Sequence, residues 1–270
     1  MELDLPFPLD IRQESVPFIV NQCSPDVHVQ CSCVECLPSV PADAIWVEDV
    51  CSVHLGSCVH TFFRNQSEIL AVRTDFENSI ILQYLPQFQK LFTSSHDLLN
   101  YLGIETVLLR YSGFLLHASF ISWNGDGILF SAPCGTGKST QAALWNEHRG
   151  AEIINGDRAA VRLIGDKWYA YGIPFAGTSE VYKNVYAPVK GAVLLSQGPQ
   201  NVISKVPSMH ALRRILPEVS ASRTDRVSVN SVIDLILNFL DRVPVFALDC
   251  LPDEGAVDLL WNTIYKGNEL

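Results

Sequence analysis

A nine-residue segment rich in glycine and hydroxyl side chains places the strongest constraint on how this chain can fold. It reads A-P-C-G-T-G-K-S-T from Ala132 to Thr140. The apolar run I-L-F-S precedes it, and T-Q-A-A-L-W-N-E-H-R follows with helical spacing. Four free positions before Gly-Lys-Ser match the P-loop (Walker A) pattern, with Ala132 replacing the usual first glycine. The segment predicts a strand, a phosphate-binding loop and a helix beginning near Lys138.

Each residue type in this loop has its own part in binding a nucleotide. Gly135 and Gly137 let the backbone turn its N–H groups towards phosphate oxygens, and the positive end of the following helix faces the same anion. Lys138 reaches the β- and γ-phosphates, and the Ser139 hydroxyl is a ligand for Mg²⁺. The alternative is a glycine-rich turn with an ordinary surface lysine. We expect a nucleotide triphosphate and Mg²⁺ on the following residues: Pro133, Cys134, Gly135, Thr136, Gly137, Lys138, Ser139 and Thr140.

The rest of the chain predicts a small β-rich domain at residues 1–94 and an α/β domain at residues 95–270. Short apolar runs punctuated by Pro, Asn, Asp and Ser predict mostly antiparallel strands in the first part. These runs are Ser15–Val20, Val27–Cys33, Ala44–Val50, Val59–Arg64, Glu68–Arg73 and Ser79–Tyr84. In the second part, a helix from Ser94 to near Gly113 precedes a hairpin with its turn at Asn124-Gly125. Strands and then helices continue to the end, which predicts an α/β core.

The position of the first acidic residue after the loop separates this chain from two common classes. No Asn-Lys-x-Asp motif of a GTPase is present. A RecA-like or transporter ATPase carries its acid far downstream, whereas Asp157 follows Ser139 by 18 residues, in E-I-I-N-G-D-R.

The order of motifs around the loop resembles a known group. L-L-H-A-S, the Asn-Gly turn, G-T-G-K-S-T and N-G-D-R resemble the catalytic domain of HPr serine kinase/phosphorylase and, more distantly, ATP-dependent phosphoenolpyruvate carboxykinase. The resemblance covers roughly residues 110 to 200. It implies a mixed-sheet P-loop core and an ATP- and Mg²⁺-dependent kinase that acts on a hydroxyl group.

The resemblance also implies roles for residues outside the loop. His117 takes the place of the histidine that supports the catalytic carboxylate. Asp157 falls in the acidic motif, which supplies the base for the acceptor hydroxyl and contacts the metal. That motif usually has two adjacent aspartates, but here Gly156 and Arg158 flank a single one. We predict Asp157, Lys138, His117 and Arg158 as catalytic residues and Ser139 and Asp157 as metal ligands. Alternatively, Asp157 ends a strand, Arg158 is a solvated cation and His117 is a core histidine.

Composition restricts the partners and the compartment. A net charge of -10 argues against binding to nucleic acid or to an anionic membrane. The N-terminus lacks a basic start and an apolar run, so we expect a cytoplasmic protein. Six of the eight cysteines lie in the first 60 residues, where free thiols are expected. A zinc site at Cys31, Cys33 and Cys36 is the alternative, although their spacing is not a paired C-x-x-C.

These patterns are compatible with three functions, and two further segments have predictions of their own. The leading function is phosphoryl transfer to a hydroxyl of a peptide, a small protein or a small molecule, with homo-oligomerisation left open. The second is a nucleotide-binding regulatory or scaffold module without catalysis, and the third is a carboxykinase acting on small acids. The turn Gly172–Ser179 predicts a helix start before a polar helical stretch at Tyr182 and Lys183. A plain helix N-cap is favoured there over a site for the acceptor or a phosphate. Arg213 and Arg214 are predicted on a helix, where a solvated face is favoured over steering of an acidic substrate.

Overall fold

The computed structural model describes residues 1–267 except 22, 41, 43, 48–50, 55–58, 66, 176 and 221–225. The chain divides into two compact units, Met1–Ile104 with Ser222–Val229 and Glu105–Ala221 with Asn230–Leu270. Each unit contains one mixed sheet. The mixed α/β class predicted from the sequence is therefore confirmed, while the predicted boundary after residue 94 stays a prediction.

The sheet of the first unit is largely antiparallel. Its strands are β1 Glu2–Asp4, β2 His28–Cys33, β3 Ala44–Val47, β4 Cys51–His54, β5 Val59–Arg64, β6 Glu68–Asp75 and β7 Ser79–Tyr84. Within the described residues they pair in the order β1-β2-β7-β6-β5-β4-β3, and the β1–β2 and β2–β7 pairs are parallel. The strand predicted at Ser15–Val20 is wrong, because Gln13–Phe18 forms a 3₁₀ helix. Pro17 lies inside it and has no N–H for a sheet ladder. Residues 48–50 of the predicted strand Ala44–Val50 lie outside the described residues.

The helix predicted from Ser94 is two helices. Ser94 caps α1 by accepting a hydrogen bond from the backbone N–H of Asp97 at 3.2 Å, as its sequence predicts. Gly103 ends α1 in the left-handed region at φ 63°, which breaks the i to i−4 hydrogen bonds. The helices are α1 Ser95–Leu102, α2 Ile104–Arg110, α3 Lys138–Arg149, α4 Ser208–Ile215, α5 Arg226–Arg242 and α6 Glu254–Lys266. None of the described helices is both long and apolar enough to cross a membrane.

A long strand, β8, organises the sheet of the second unit. The strands are β8 Gly113–Trp123, β9 Asp126–Ser131, β10 Glu152–Asn155, β11 Arg158–Ile164, β12 Lys167–Tyr171, β13 Tyr186–Gln197, β14 Val202–Lys205, β15 Val219–Ser220 and β16 Val245–Cys250. The amino-terminal half of β8 pairs with β11 and β15, and its carboxyl-terminal half pairs with β9 and β10. Strands β9, β13 and β16 are parallel. The loop after β9 therefore lies beside the carboxyl end of β13.

The hairpin that leads into this loop turns where the sequence predicts. Asn124 and Gly125 both have positive φ, at 51° and 84°, and Trp123 pairs with Asp126 across them. Two consecutive residues with positive φ match the turn that suits the twist of a two-residue hairpin. The turn thus fixes the register in which β9 delivers the loop.

Helices cover both faces of this sheet. Trp145 of α3 and Leu260 of α6 are fully buried in one apolar cluster with Phe130 of β9. Ile215 of α4 and Phe239 of α5 are fully buried in the other. Burial of such side chains contributes about 1.5–3 kcal/mol each. The strand-to-loop-to-helix segment is therefore held on one face, and α4 is held on the other.

The described cysteines are free thiols: Cys23, Cys31, Cys33, Cys36, Cys134 and Cys250. Cys31 is buried, and this burial, with a smaller effect of Asp4, raises the pKa of its thiol to about 12. No group of three or more His, Cys, Asp or Glu among the described residues could hold a metal ion. Cys58 and the side chain of Cys51 lie outside the described residues.

Candidate functional site

The loop Ala132–Thr140 joins the end of β9 to the start of α3, and its glycines are required by backbone conformation. Gly135 and Gly137 have φ of 78° and 115°, a region that side chains with a Cβ rarely adopt. A Cβ built on either would meet no heavy atom within 4 Å. Gly137 precedes Lys138 as the N-cap of α3, and no side chain caps the helix there. The first N–H groups of α3 can therefore bind an anion.

Lys138 lies under this loop rather than in solvent. Only 7% of the residue is exposed, and Nζ donates hydrogen bonds to the carbonyls of Ala132 at 2.7 Å and Pro133 at 3.3 Å. Burial lowers the pKa of Lys138, while Glu218, Cys134 and Asp157 act in the opposite direction. An ordinary surface lysine would be solvated. The contacts instead place an ammonium group where it can reach a phosphate held by the loop.

The register of β8 brings two carboxylates to opposite sides of His117. On one edge, β11 places Arg158 opposite His117. On the other edge, β15 begins at Val219, which pairs with the residue before His117. Asp157 and Glu218 immediately precede these two partners. They therefore flank the histidine, although they come from distant parts of the chain.

Asp157, His117 and Glu218 form a row that we call the carboxylate–histidine triad. Nε2 of His117 lies 3.5 Å from Oδ1 of Asp157, and Nδ1 lies 2.7 Å from Oε2 of Glu218. The Glu218 side chain is only 12% exposed. An imidazole that donates to both carboxylates must be protonated on both nitrogens. The geometry therefore suits an imidazolium between two anions.

Electrostatics within the triad reinforce these charge states. The hydrogen bond to Asp157 has the largest effect on His117 and raises its pKa, as does Glu218, whereas burial and Lys138 lower it. The pKa of Asp157 is lowered, chiefly by the hydrogen bond to His117 and further by the charges of Arg158 and Lys138. The triad thus favours an ionised Asp157 beside a protonated His117.

Asn155 fixes the turn that carries Asp157. The residue is fully buried, and its Oδ1 accepts hydrogen bonds from the backbone N–H groups of Asp157 at 2.9 Å and Arg158 at 3.0 Å. Its Nδ2 donates to the carbonyls of Ile173 and Phe175, both at 3.0 Å. One side chain therefore ties the acidic turn to the segment that covers it. The N-G-D-R motif gave no sign of this role for its asparagine.

The carbonyl of Gly156 connects the loop helix to the acidic turn. Ser139 of α3 donates to it at 3.4 Å, and Ser119 of β8 donates to it at 2.9 Å. The predicted metal ligand Ser139 thus contacts the residue that precedes the other one, Asp157. Mg²⁺ needs only one or two protein ligands when phosphates and water complete its shell. This donor set fits Mg²⁺ that arrives with a nucleotide.

Gly177, in the predicted turn Gly172–Ser179, lies against Asp157, but the polar helix predicted after this turn is absent from the described residues. Gly177–Ser179 is one 3₁₀ turn, and Tyr182 forms an isolated bridge with Asn155. Gly177 has φ of 54°, and a Cβ there would lie 2.6 Å from Cγ of Asp157. The helix prediction is wrong because the chain here extends along β10 instead of folding on itself.

Two arginines occupy different places around the site. Nε of Arg158 lies 3.5 Å from Oδ2 of Asp157, and its side chain is 41% exposed. The prediction that Arg214 belongs to a solvated face is wrong, because this residue is half-buried. Its Nη2 donates to the carbonyl of Leu195 at 3.0 Å and to Oγ of Ser196 at 3.2 Å. Arg213, beside it, is exposed as predicted.

No protein-family model matches this chain, and no curated protein matches it. Among solved structures, the HPr(Ser) kinase/phosphatase from Coxiella burnetii is similar at 15% sequence identity with a TM-score of 0.33. The match covers 57% of this chain and 88% of that chain. At this identity and TM-score the similarity is distant.

Proposed function

We propose that this chain is an ATP- and Mg²⁺-dependent phosphotransferase that acts on a hydroxyl group. The observation that carries the proposal is the convergence of the triad and the loop. Lys138 lies under the loop, and Ser139 beside it donates to the carbonyl of Gly156, the residue before Asp157. A phosphate-binding loop beside an ionised carboxylate contains the groups that a kinase requires.

The residues would divide the work as follows. The loop N–H groups and Lys138 would hold the phosphates of ATP, and Ser139 and Asp157 would hold Mg²⁺. The metal would neutralise charge on the phosphates. Asp157 would take the proton of the acceptor hydroxyl while the acceptor oxygen bonds to the terminal phosphorus. The bond from that phosphorus to the bridging oxygen breaks, and ADP leaves with the bonding electron pair.

His117 and Glu218 would position Asp157 in this scheme. The imidazolium contacts Oδ1 of Asp157 and so restricts the rotation of its carboxylate. Glu218 holds the opposite ring nitrogen at 2.7 Å. Arg158 lies on the other carboxylate oxygen and can also reach developing negative charge. A single aspartate supported in this way would do the work of the two adjacent aspartates in the family that the sequence resembles.

A second function, nucleotide binding without phosphoryl transfer, is favoured by one observation. The two oxygens of Asp157 already lie near His117 and Arg158, and these contacts lower its pKa and make it a weaker base. A regulatory or scaffold module would need only the loop.

Binding and transfer assays on three variants test both functions. Lys138→Ala should weaken binding of Mg·ATP by about 10- to 150-fold, because a charge-assisted hydrogen bond contributes about 1.5–3 kcal/mol. Asp157→Asn should retain binding and lower transfer of labelled phosphate to serine peptides by about 100-fold or more. Lys167→Ala, at the exposed first residue of β12, is the matched control and should change neither. A wild-type chain that binds no ATP overturns the proposal, and tight binding without transfer to any hydroxyl acceptor favours the second function.

A further inference from the structure

We propose that Arg214 binds the terminal phosphate of the nucleotide and makes the loop selective for triphosphates over diphosphates. This inference rests on the proposed nucleotide site. It adds a residue from α4, outside the loop motif, to a phosphate that Lys138 of the loop also reaches.

A cavity beside the loop brings Arg214 to the nucleotide site. It has a volume of about 570 Å³ and is lined by residues 133–136 of the loop, residues 195–197 of β13 and Arg214. This size falls within the usual range for small-molecule sites. Its position follows from the parallel register, in which Leu194 of β13 lies opposite Ser131, the last residue of β9. The carboxyl end of β13 and the first half of the loop therefore form two sides of one space.

The charge of Arg214 has no protein anion to balance it among the described residues. Its hydrogen bonds go to a carbonyl and a hydroxyl, and no carboxylate in the described part of the chain makes an ion pair with it. A guanidinium has five N–H donors, and Nη2 carries only two of them. A half-buried cation held by neutral acceptors at the wall of a cavity is suited to an anionic ligand.

The direction of a bound nucleotide identifies which phosphate Arg214 would meet. The lysine of a P-loop reaches the β- and γ-phosphates, and Nζ of Lys138 lies against the carbonyls of Ala132 and Pro133. The terminal phosphate is therefore expected on the Pro133 side of the loop. That side borders the cavity with Arg214. A diphosphate would fill the helix end of the loop and leave this contact unmade.

Helix α4 provides a matched control one residue away. Ala211 and Ile215 are fully buried and anchor the helix. Arg214 is half-buried, whereas Arg213 is exposed. Arg213→Gln removes the same charge from the same helix without touching the cavity.

Calorimetric titration with a non-hydrolysable ATP analogue and with ADP, each with Mg²⁺, tests the inference. Arg214→Gln should weaken analogue binding by about 10- to 100-fold and ADP binding by about threefold or less. Arg214→Lys should fall between wild type and Arg214→Gln, because it keeps the charge but loses the planar fork. If Arg214→Gln does not fold, Arg214→Lys carries the comparison. Arg213→Gln should bind both ligands as wild type does.

The outcomes distinguish this inference from the function on which it rests. Equal weakening of both ligands by the Arg214 variants, or no weakening, overturns the role of Arg214. The nucleotide site is still supported when the Arg214 prediction fails, provided that wild type binds ATP and Lys138→Ala does not. A wild-type chain that binds neither ligand overturns both.

Discussion

Oε2 of Glu218 lies 2.7 Å from Nδ1 of His117, although 101 residues separate the two in the chain. The contact exists because β11 and β15 both pair with Leu116 of β8, one strand on each edge. Glu218 thereby lies across the imidazole from Asp157. The histidine is held at both ring nitrogens, which sets its orientation and favours its protonated form.

Replacing Glu218 by glutamine should lower the pKa of His117. The neutral amide keeps the shape of the side chain but removes one of the two negative charges that stabilise the imidazolium. Titration of the His117 ring proton by NMR measures the change. Glu147→Gln, on the exposed face of α3, should leave the titration unchanged. An unaltered His117 pKa in the Glu218 variant would show that the contact has no electrostatic effect.

The same contact predicts a pH dependence of stability. The pKa of His117 is raised in the folded chain above its usual value of 6.5. The stabilisation from its protonated form is therefore fully present below about pH 6.5 and is lost as the pH rises through the folded pKa. Urea unfolding of wild type and His117→Gln at a series of pH values should show their difference shrinking over this window. A difference that stays constant with pH contradicts the assignment.

Removing the Asn155 side chain should destabilise the second unit strongly. Asn155→Ala removes four hydrogen bonds, two from part-buried N–H groups and two to buried carbonyls. We expect the free energy of unfolding to fall by about 2–4 kcal/mol, measured by urea denaturation. Asn146→Ala removes a single hydrogen bond to Ala151 at a more exposed position and should cost about 1 kcal/mol or less. Equal losses in the two variants would be inconsistent with this account.

Substitution of Gly177 by alanine should disturb Asp157. The added Cβ would lie 2.6 Å from Cγ of Asp157, so the carboxylate must leave the position in which its Oδ1 faces His117. Gly165→Ala is a close control, because its φ of 62° resembles the 54° of Gly177 while its Cβ meets no atom within 4 Å. Both variants should lose roughly 1–2 kcal/mol of stability from backbone conformation. Only Gly177→Ala should lower the pKa of His117, again measured by NMR, and a similar shift in both variants would argue against a specific contact.

The elements around the loop could be predicted from the sequence because their signals are local. The Asn124-Gly125 turn, the start of α3 at Lys138 and its end at Gly150 all depend on residues within a few positions of one another. Positive φ at glycine and a hydrogen-bonded helix follow from short-range sterics. The helix predicted at Tyr182 failed for the opposite reason, since pairing with Asn155 on β10 extends that segment.

By itself, the sequence determined the strand that leads into the loop, the loop with its lysine, and the early acidic residue at position 157. The tertiary structure decided that Glu218 completes the triad and that Arg214 lines the loop cavity. These relationships arise from the pairing of β15 with β8 and from the packing of α4 beneath β13. Pairing between distant strands depends on register, and a shift of one residue would turn Glu218 away from His117. No local pattern at Leu216–Glu218 or in α4 encodes that register, so only the folded chain reveals it.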